Sequence, residues 1–210
     1  MSITKLLIAN RGEIAIRVQR AAAALDIPTV AIYSEDDAQS LHVFRADKAH
    51  SLAGVGAQSY LDIDLVIAAA KATGCDGVHP GYGFLSENAA FARACEDAGL
   101  CFVGPSPDVL EKLGDKVKAR NLAAQAGIPV LSGSMEAVDL AGAQAFRDEL
   151  QGGALIIKAV SGGGGRGVRV VGAGDDLEAA VTRAASEAAA AFGDGSLYVE
   201  RYLPRARHIE

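Results

Sequence analysis

The sequence predicts a doubly wound, parallel-sheet α/β half-domain over residues 1–115, followed by an α+β unit that begins at residue 116. Three observations predict it. Short apolar runs alternate with longer amphipathic stretches through the first hundred or so residues. Beyond residue 128 the pattern changes to two strands joined by glycines. The charge divides as well: residues 1–115 carry nine Lys and Arg against fifteen Asp and Glu, and residues 116–210 carry eleven against eleven.

Leu6-Leu7-Ile8-Ala9 reads as a buried strand, and residues 12–25 as a helix with Ile14, Val18, Ala21 and Leu25 at helical spacing. Asp26-Ile27-Pro28 stops that helix, and residues 29–33 form the second strand. A polar, acidic connection then leads to a weak strand near 49–52. Asp62 opens a helix over 62–73, which Thr73-Gly74 ends. Residues 77–79 are a short strand, 87–98 a helix, and 100–103 a strand before Gly104-Pro105. After a loop around Pro129 and Ser132-Gly133-Ser134 come a helix at 139–150, strands at 154–160 and 168–171, an alanine-rich helix at 176–191 and a strand at 197–203.

Composition excludes several classes. The longest apolar runs fall far short of the roughly 18 residues of a membrane span, and the N-terminus lacks a signal-peptide pattern. The net charge is −6, Trp is absent and no basic run of five occurs, so neither nucleic acid nor a membrane surface is expected as a partner. Cys75, Cys95 and Cys101 give an odd count with no C-x-x-C, which points to reduced thiols and a cytoplasmic setting.

The strongest chemical signal is the hairpin over 158–169, where five of the six positions 162–167 are glycine. Each glycine loses entropy on ordering and adds no packing, so a run of them is a poor way merely to turn a chain. Amides unblocked by side chains suit a phosphate instead. A simple flexible hairpin is the alternative. A Walker A loop needs a Lys after its glycines and a helix beyond, and a dinucleotide fingerprint also needs the helix. A protein-kinase loop also joins two strands, but its Lys lies on a later strand. Here Lys158 precedes the glycines and a strand comes after them, which resembles the ATP-grasp arrangement.

The resemblance then becomes specific. Ile8-Ala9-Asn10-Arg11-Gly12-Glu13-Ile14, the run His79-Pro80-Gly81-Tyr82-Gly83-Phe84-Leu85-Ser86-Glu87-Asn88, Phe102-Val103-Gly104-Pro105 and Gly114-Asp115-Lys116 resemble biotin carboxylase motifs. So do Ile157-Lys158-Ala159 with its glycines, Tyr198-Val199-Glu200-Arg201-Tyr202-Leu203 and Arg207-His208-Ile209-Glu210, all in family order across essentially the whole chain. The resemblance implies a Rossmann-like domain over 1–115 and the start of an ATP-grasp domain over 116–210, with its lid over about 130–203. The activity it implies is a ligase that uses MgATP and bicarbonate to carboxylate biotin.

By the same resemblance, Lys116 and Lys158 hold ATP phosphates, and Gly163, Gly164 and Gly165 cover them with loop amides. Glu200, Arg201, Tyr202 and Leu203 run along the adenine, and His208 approaches the ribose or phosphates. Tyr82, Gly83 and Glu87 are candidates for a wall of the bicarbonate and biotin site, or for a turn and cap that only close the fold. Arg11-Gly12-Glu13 is expected to be a structural loop. The Mg²⁺ ligands implied by the family, two Glu and an Asn, find no match after Lys158, so they are expected beyond residue 210, and no catalytic residue is assigned within the chain. The chain therefore reads as a truncated piece of a carboxylase, inactive alone. Expected partners are a biotin carboxyl carrier protein or domain, a carboxyltransferase and further copies of the same chain. Two alternatives remain: another ATP-grasp carboxylate ligase of the carbamoyl-phosphate type, and an ATP-binding or assembly module without catalysis.

Overall fold

The structure is a computed structural model that describes residues 2–161 and 167–207. The chain divides into two compact units, residues 1–111 and 112–210.

The first unit runs β1 (Leu6–Ile8), α1 (Gly12–Ala23), β2 (Thr29–Tyr33), α2 (Leu41–Arg45), β3 (Lys48–Ser51), α3 (Ile63–Thr73), β4 (Gly77–His79), α4 (Ala89–Asp97) and β5 (Cys101–Phe102), and reaches into α5 (Pro107–Gly114). Its five strands are all parallel, in the order β3-β2-β1-β4-β5, so the winding reverses between β1 and β4. Strand parity explains the layering. Leu6 and Ile8 point to one face, where Ala15 and Ala22 of α1 cover them. Leu7, in register with Val30 and Val78, points to the other, against Val66, Ala69 and Ala70 of α3 and Phe91 of α4. Both faces are buried, which is why these strands read as continuous apolar runs. Each fully buried Leu, Ile or Phe contributes about 1.5–3 kcal/mol.

The second unit holds α6 (Lys116–Gln125), α7 (Leu140–Glu149), β6 (Leu155–Ala159), β7 (Val168–Val171), α8 (Leu177–Phe192) and β8 (Leu197–Arg201). Its sheet is antiparallel, in the order β7-β6-β8. Leu155, Ile157, Ala159, Leu197 and Val199 face Ala143 and Phe146 of α7 and Ala184 and Ala188 of α8. Asp62, Asn88, Asp115, Asp139 and Asp176 each accept a backbone N–H of the helix they begin, and Gly74 and Gly193 end theirs with positive φ.

The fold class is as the sequence predicts, with local differences. Helix α4 begins at Ala89 with Asn88 as its cap, so Glu87 lies ahead of the helix rather than in its first turn. Strand β8 ends at Arg201, leaving Tyr202 and Leu203 beyond it. Helices α2, α5 and α6 have no counterpart among the elements expected from sequence. Helix α2 is a turn and a half inside the acidic connection, and α6 buries no residue, so hydrophobic periodicity has nothing to report there. Among the described residues no helix is long and apolar enough to cross a membrane.

His42 of α2 is fully buried, with Nε2 3.2 Å from the Ile32 carbonyl oxygen, and burial holds its pKa below the usual 6.5. Burial lowers His79 as well. The unfolded chain therefore binds these protons first, and stability is full above about pH 6.5 and declines as the pH falls through that value. Asp37, Asp47 and Asp76 are held below 3.8, so their contribution is lost only in a separate, more acidic window. Urea unfolding from about pH 8 to about pH 5 should show the decline of the first unit, and His42→Gln, which does not titrate, should flatten part of it.

Candidate functional site

The antiparallel sheet of the second unit gives its two faces different work. One face is the apolar floor on α7 and α8. On the other, the register sets Lys158 opposite Tyr198 and Ile156 opposite Glu200, which places Lys158 diagonally across from Glu200. Lys158 Nζ donates to Glu200 Oε2 at 2.5 Å and lies 5.9 Å from the centroid of the Tyr198 ring. The other carboxylate oxygen, Oε1, accepts from Arg120 Nη1. Glu200 is only 5% exposed, so its charge is removed from water and shared between two cations. Burial and the Glu200 charge together push the Tyr198 hydroxyl pKa up.

Arg120 comes from α6, and its Nη2 also donates to the Leu131 carbonyl at 2.6 Å. Residues 132–134 then run antiparallel beside β8: Ser134 N donates to Val199 O at 2.8 Å and Arg201 N to Ser132 O at 2.8 Å. Gly133 lies where this segment closes on the ion group. A Cβ there would sit 2.8 Å from Arg120 Nη2, 2.8 Å from Val199 O and 2.9 Å from Glu200 Cγ. Two cations around one carboxylate leave a formal charge of +1 on this face of the sheet. That surplus suits an anion.

Among the sequence-predicted residues, Lys158 and Glu200 come together directly. Lys116 is the first residue of α6, one helical turn before Arg120, directly after the capping Asp115. Arg201 is exposed at the strand end, and Tyr202 N donates to Ala154 O at 3.0 Å. Leu203 is exposed. Gly163, Gly164, Gly165 and His208 lie outside the described residues. Arg120 is missing from the residues that sequence reasoning singles out. Its signal is the Lys116-x-x-x-Arg120 spacing, visible only once 116–125 is recognised as a helix.

In the first unit, Asn10 is fully buried, and its Nδ2 donates to Pro80 O at 2.8 Å and to Tyr82 O at 3.0 Å. It thereby holds the Pro80–Tyr82 turn against the end of β1. Gly81 has φ +67°, and a Cβ there would meet Ile14 at 2.6 Å and Asn10 at 2.8 Å. Tyr82 is exposed, and its hydroxyl donates to Glu13 Oε1 at 2.5 Å, which raises its pKa. Gly83 has φ +70° and open space around it, and Glu87 is exposed. Arg11 pairs with Asp37 at 2.9 Å and lies over the stacked rings of Tyr60 and Phe84. No group of three or more His, Cys, Asp or Glu among the described residues forms a metal-binding cluster.

Residues 2–110 match the family described as the biotin carboxylase N-terminal domain. The chain belongs to the biotin carboxylase family. Residues 115–210 match the ATP-binding domain described for the carbamoyl-phosphate synthase L chain. Over 99% of its length the chain is 53% identical to the mitochondrial pyruvate carboxylase of Rattus norvegicus and 50% identical to the pyruvate carboxylase of Staphylococcus aureus. It spans 18% of the length of each. Among solved structures, a biotin carboxylase complex with β-γ-ATP from Campylobacter jejuni matches with a TM-score of 0.92 at 41% identity, over 96% of this chain and 46% of that one. The biotin carboxylase domain dimer of Hydrogenobacter thermophilus 2-oxoglutarate carboxylase, with MgADP, ADP and bicarbonate, matches with a TM-score of 0.91 at 40% identity, over 97% of this chain and 45% of that one.

The crowding at Gly133 generates a prediction. Gly133→Ala sets a methyl against the Val199 carbonyl, which is backbone and cannot swing away. It should destabilise the second unit by about 1–3 kcal/mol, the usual cost of overpacking, read as a lower denaturant midpoint. An equal loss at Gly114, whose added Cβ meets nothing within 4 Å, would show that crowding is not the cause.

Proposed function

We propose that this chain forms the N-terminal and nucleotide-gripping part of a biotin carboxylase, which uses MgATP and bicarbonate to carboxylate biotin on a carrier. The observation that carries the reading is the cationic surplus on the face of the sheet opposite α7 and α8, where Glu200 is shared between Arg120 and Lys158. These donors fit a polyphosphate: an ammonium on a flexible stem reaches an oxygen, and the guanidinium holds its place. Because the relatives and solved structures carry pyruvate carboxylase and biotin carboxylase names, the carbamoyl-phosphate alternative is not favoured.

In this reading residues 1–115 are the N-terminal domain, 116–210 open the ATP-grasp domain, and about 130–203 form its lid. Lys158 and Lys116 grip the phosphates, Gly163, Gly164 and Gly165 add backbone donors, the backbone of Glu200 to Leu203 lines the adenine, and His208 meets the ribose or phosphates. Tyr82, Gly83 and Glu87 form a wall toward bicarbonate and biotin. Bound MgATP supplies the phosphoryl group that activates bicarbonate, and we assign no catalytic or metal-ligating residue within these 210 residues. The partners that suit this chemistry are a biotin carboxyl carrier, a carboxyltransferase and further copies of the chain. The compartment we favour is the cytoplasm, although some relatives are named as mitochondrial.

Titration calorimetry on the complete protein with ATP tests the reading. Lys158→Gln removes a charge-assisted contact, typically about 1.5–3 kcal/mol, and should weaken binding by roughly ten- to a hundredfold. Lys158→Arg should recover only part, because a fork does not replace a point charge in a confined site. Wild-type affinity in both variants would overturn the assignment.

A further inference from the structure

We infer that Arg120 is a positioning residue for nucleotide binding: by occupying one oxygen of Glu200 it keeps Lys158 available to an anion. The inference rests on the nucleotide reading of Lys158 and adds a residue that no sequence motif marks.

The geometry divides the carboxylate. Oε1 belongs to Arg120 and Oε2 to Lys158. The two cations are not equivalent. The Arg120 side chain is 12% exposed, and it is tied a second time, to the Leu131 carbonyl. Its Nε is buried without a partner, so the side chain is held by its terminal nitrogens alone. The Lys158 side chain is 29% exposed and has the longer reach to solvent. Arg120 is therefore the fixed counter-ion and Lys158 the exchangeable one.

Net charge governs how readily Lys158 can leave Glu200. With both cations present, the group carries one positive charge more than Glu200 neutralises. Without the Arg120 charge, the full attraction of a buried carboxylate falls on Lys158, and the group becomes neutral. An incoming phosphate would then have to take Lys158 from an anion that has no other partner, and in a poorly solvated site that competition is strong. Arg120 also fixes where Glu200 sits, because its fork bridges α6, Leu131 and β8. Lys116 heads the same helix, so the relay Arg120–Glu200–Lys158 joins the helix of one proposed phosphate-gripping lysine to the strand of the other.

The test uses the complete protein and measures ATP affinity by calorimetry together with thermal unfolding. Arg120→Gln keeps a donor for Glu200 but removes the charge, and should weaken ATP binding about tenfold or more. Arg120→Lys keeps the charge and loses the fork, and should bind within a few fold of wild type while unfolding at a lower temperature. Arg120→Gln combined with Glu200→Gln removes the anion that restrains Lys158 and should recover most of the lost affinity. A role in stability alone predicts that unfolding temperature, and not affinity, responds in this set. Wild-type affinity in Arg120→Gln, or a double variant as weak as the single one, overturns the inference. If Arg120→Gln does not fold, Glu200→Gln alone decides: tighter ATP binding supports the inference, and unchanged or weaker binding overturns it. Lys158→Gln separates the two failures. If it weakens binding while the Arg120 variants do not, only the role of Arg120 falls; if it binds as wild type, the nucleotide reading falls first.

Discussion

A carboxylate withdrawn from water must be balanced where it lies, and in the second unit that requirement organises three separate stretches of chain. Glu200 sits at the end of β8 and draws Arg120 from α6 and Lys158 from β6. Arg120 in turn holds Leu131, and residues 132–134 are laid along β8 beside it. Removing Glu200 would leave two cations facing each other, and removing either cation would leave one oxygen of a buried carboxylate without its partner, so each member is held by the other two. Such a cluster is weak evidence for stability in itself, because apolar residues of similar size often do as well. Its value is positional: it brings an excess positive charge to a defined point.

The same sheet shows how one alternation serves both stability and chemistry. Leu155, Ile157 and Ala159 alternate with Ile156 and Lys158, and the apolar set is buried on α7 and α8. The partner strand matches the pattern, with Leu197 and Val199 inward and Tyr198 and Glu200 on the opposite face. A one-residue slip would bury Lys158 among the helices, so the apolar core enforces the register on which the ion group depends. Packing and function are set by a single parity.

Most of the fold was legible because its signals are local. Runs such as Leu6 to Ala9 and Thr29 to Tyr33 announce buried parallel strands, and Asp62 and Gly74 mark helix ends by capping chemistry that needs no distant partner. Lys158 and Glu200 were legible as residues through family motifs, but their pairing was not, since they are separated by 42 positions and joined only by strand register. Arg120 lies 80 positions from Glu200 on a helix with no buried face, so hydrophobic periodicity does not reveal the helix on which its spacing from Lys116 would become legible. Glu87 was misplaced for a smaller reason: Asn88 is the better cap, and it moves the helix start past the carboxylate.

The clamp that Asn10 places on the Pro80–Tyr82 turn has a consequence for whatever meets Tyr82. A surface loop ordinarily gives up conformational freedom when it engages a ligand, and that loss is subtracted from affinity. Here the loss has already been incurred during folding, through two hydrogen bonds from one buried amide and a glycine that fits only because it has no side chain. The Tyr82 hydroxyl is engaged by Glu13, so the surface offered outward is the ring itself. Any ligand at this end of the parallel strands would therefore meet a preset aromatic plate whose polar handle is already taken.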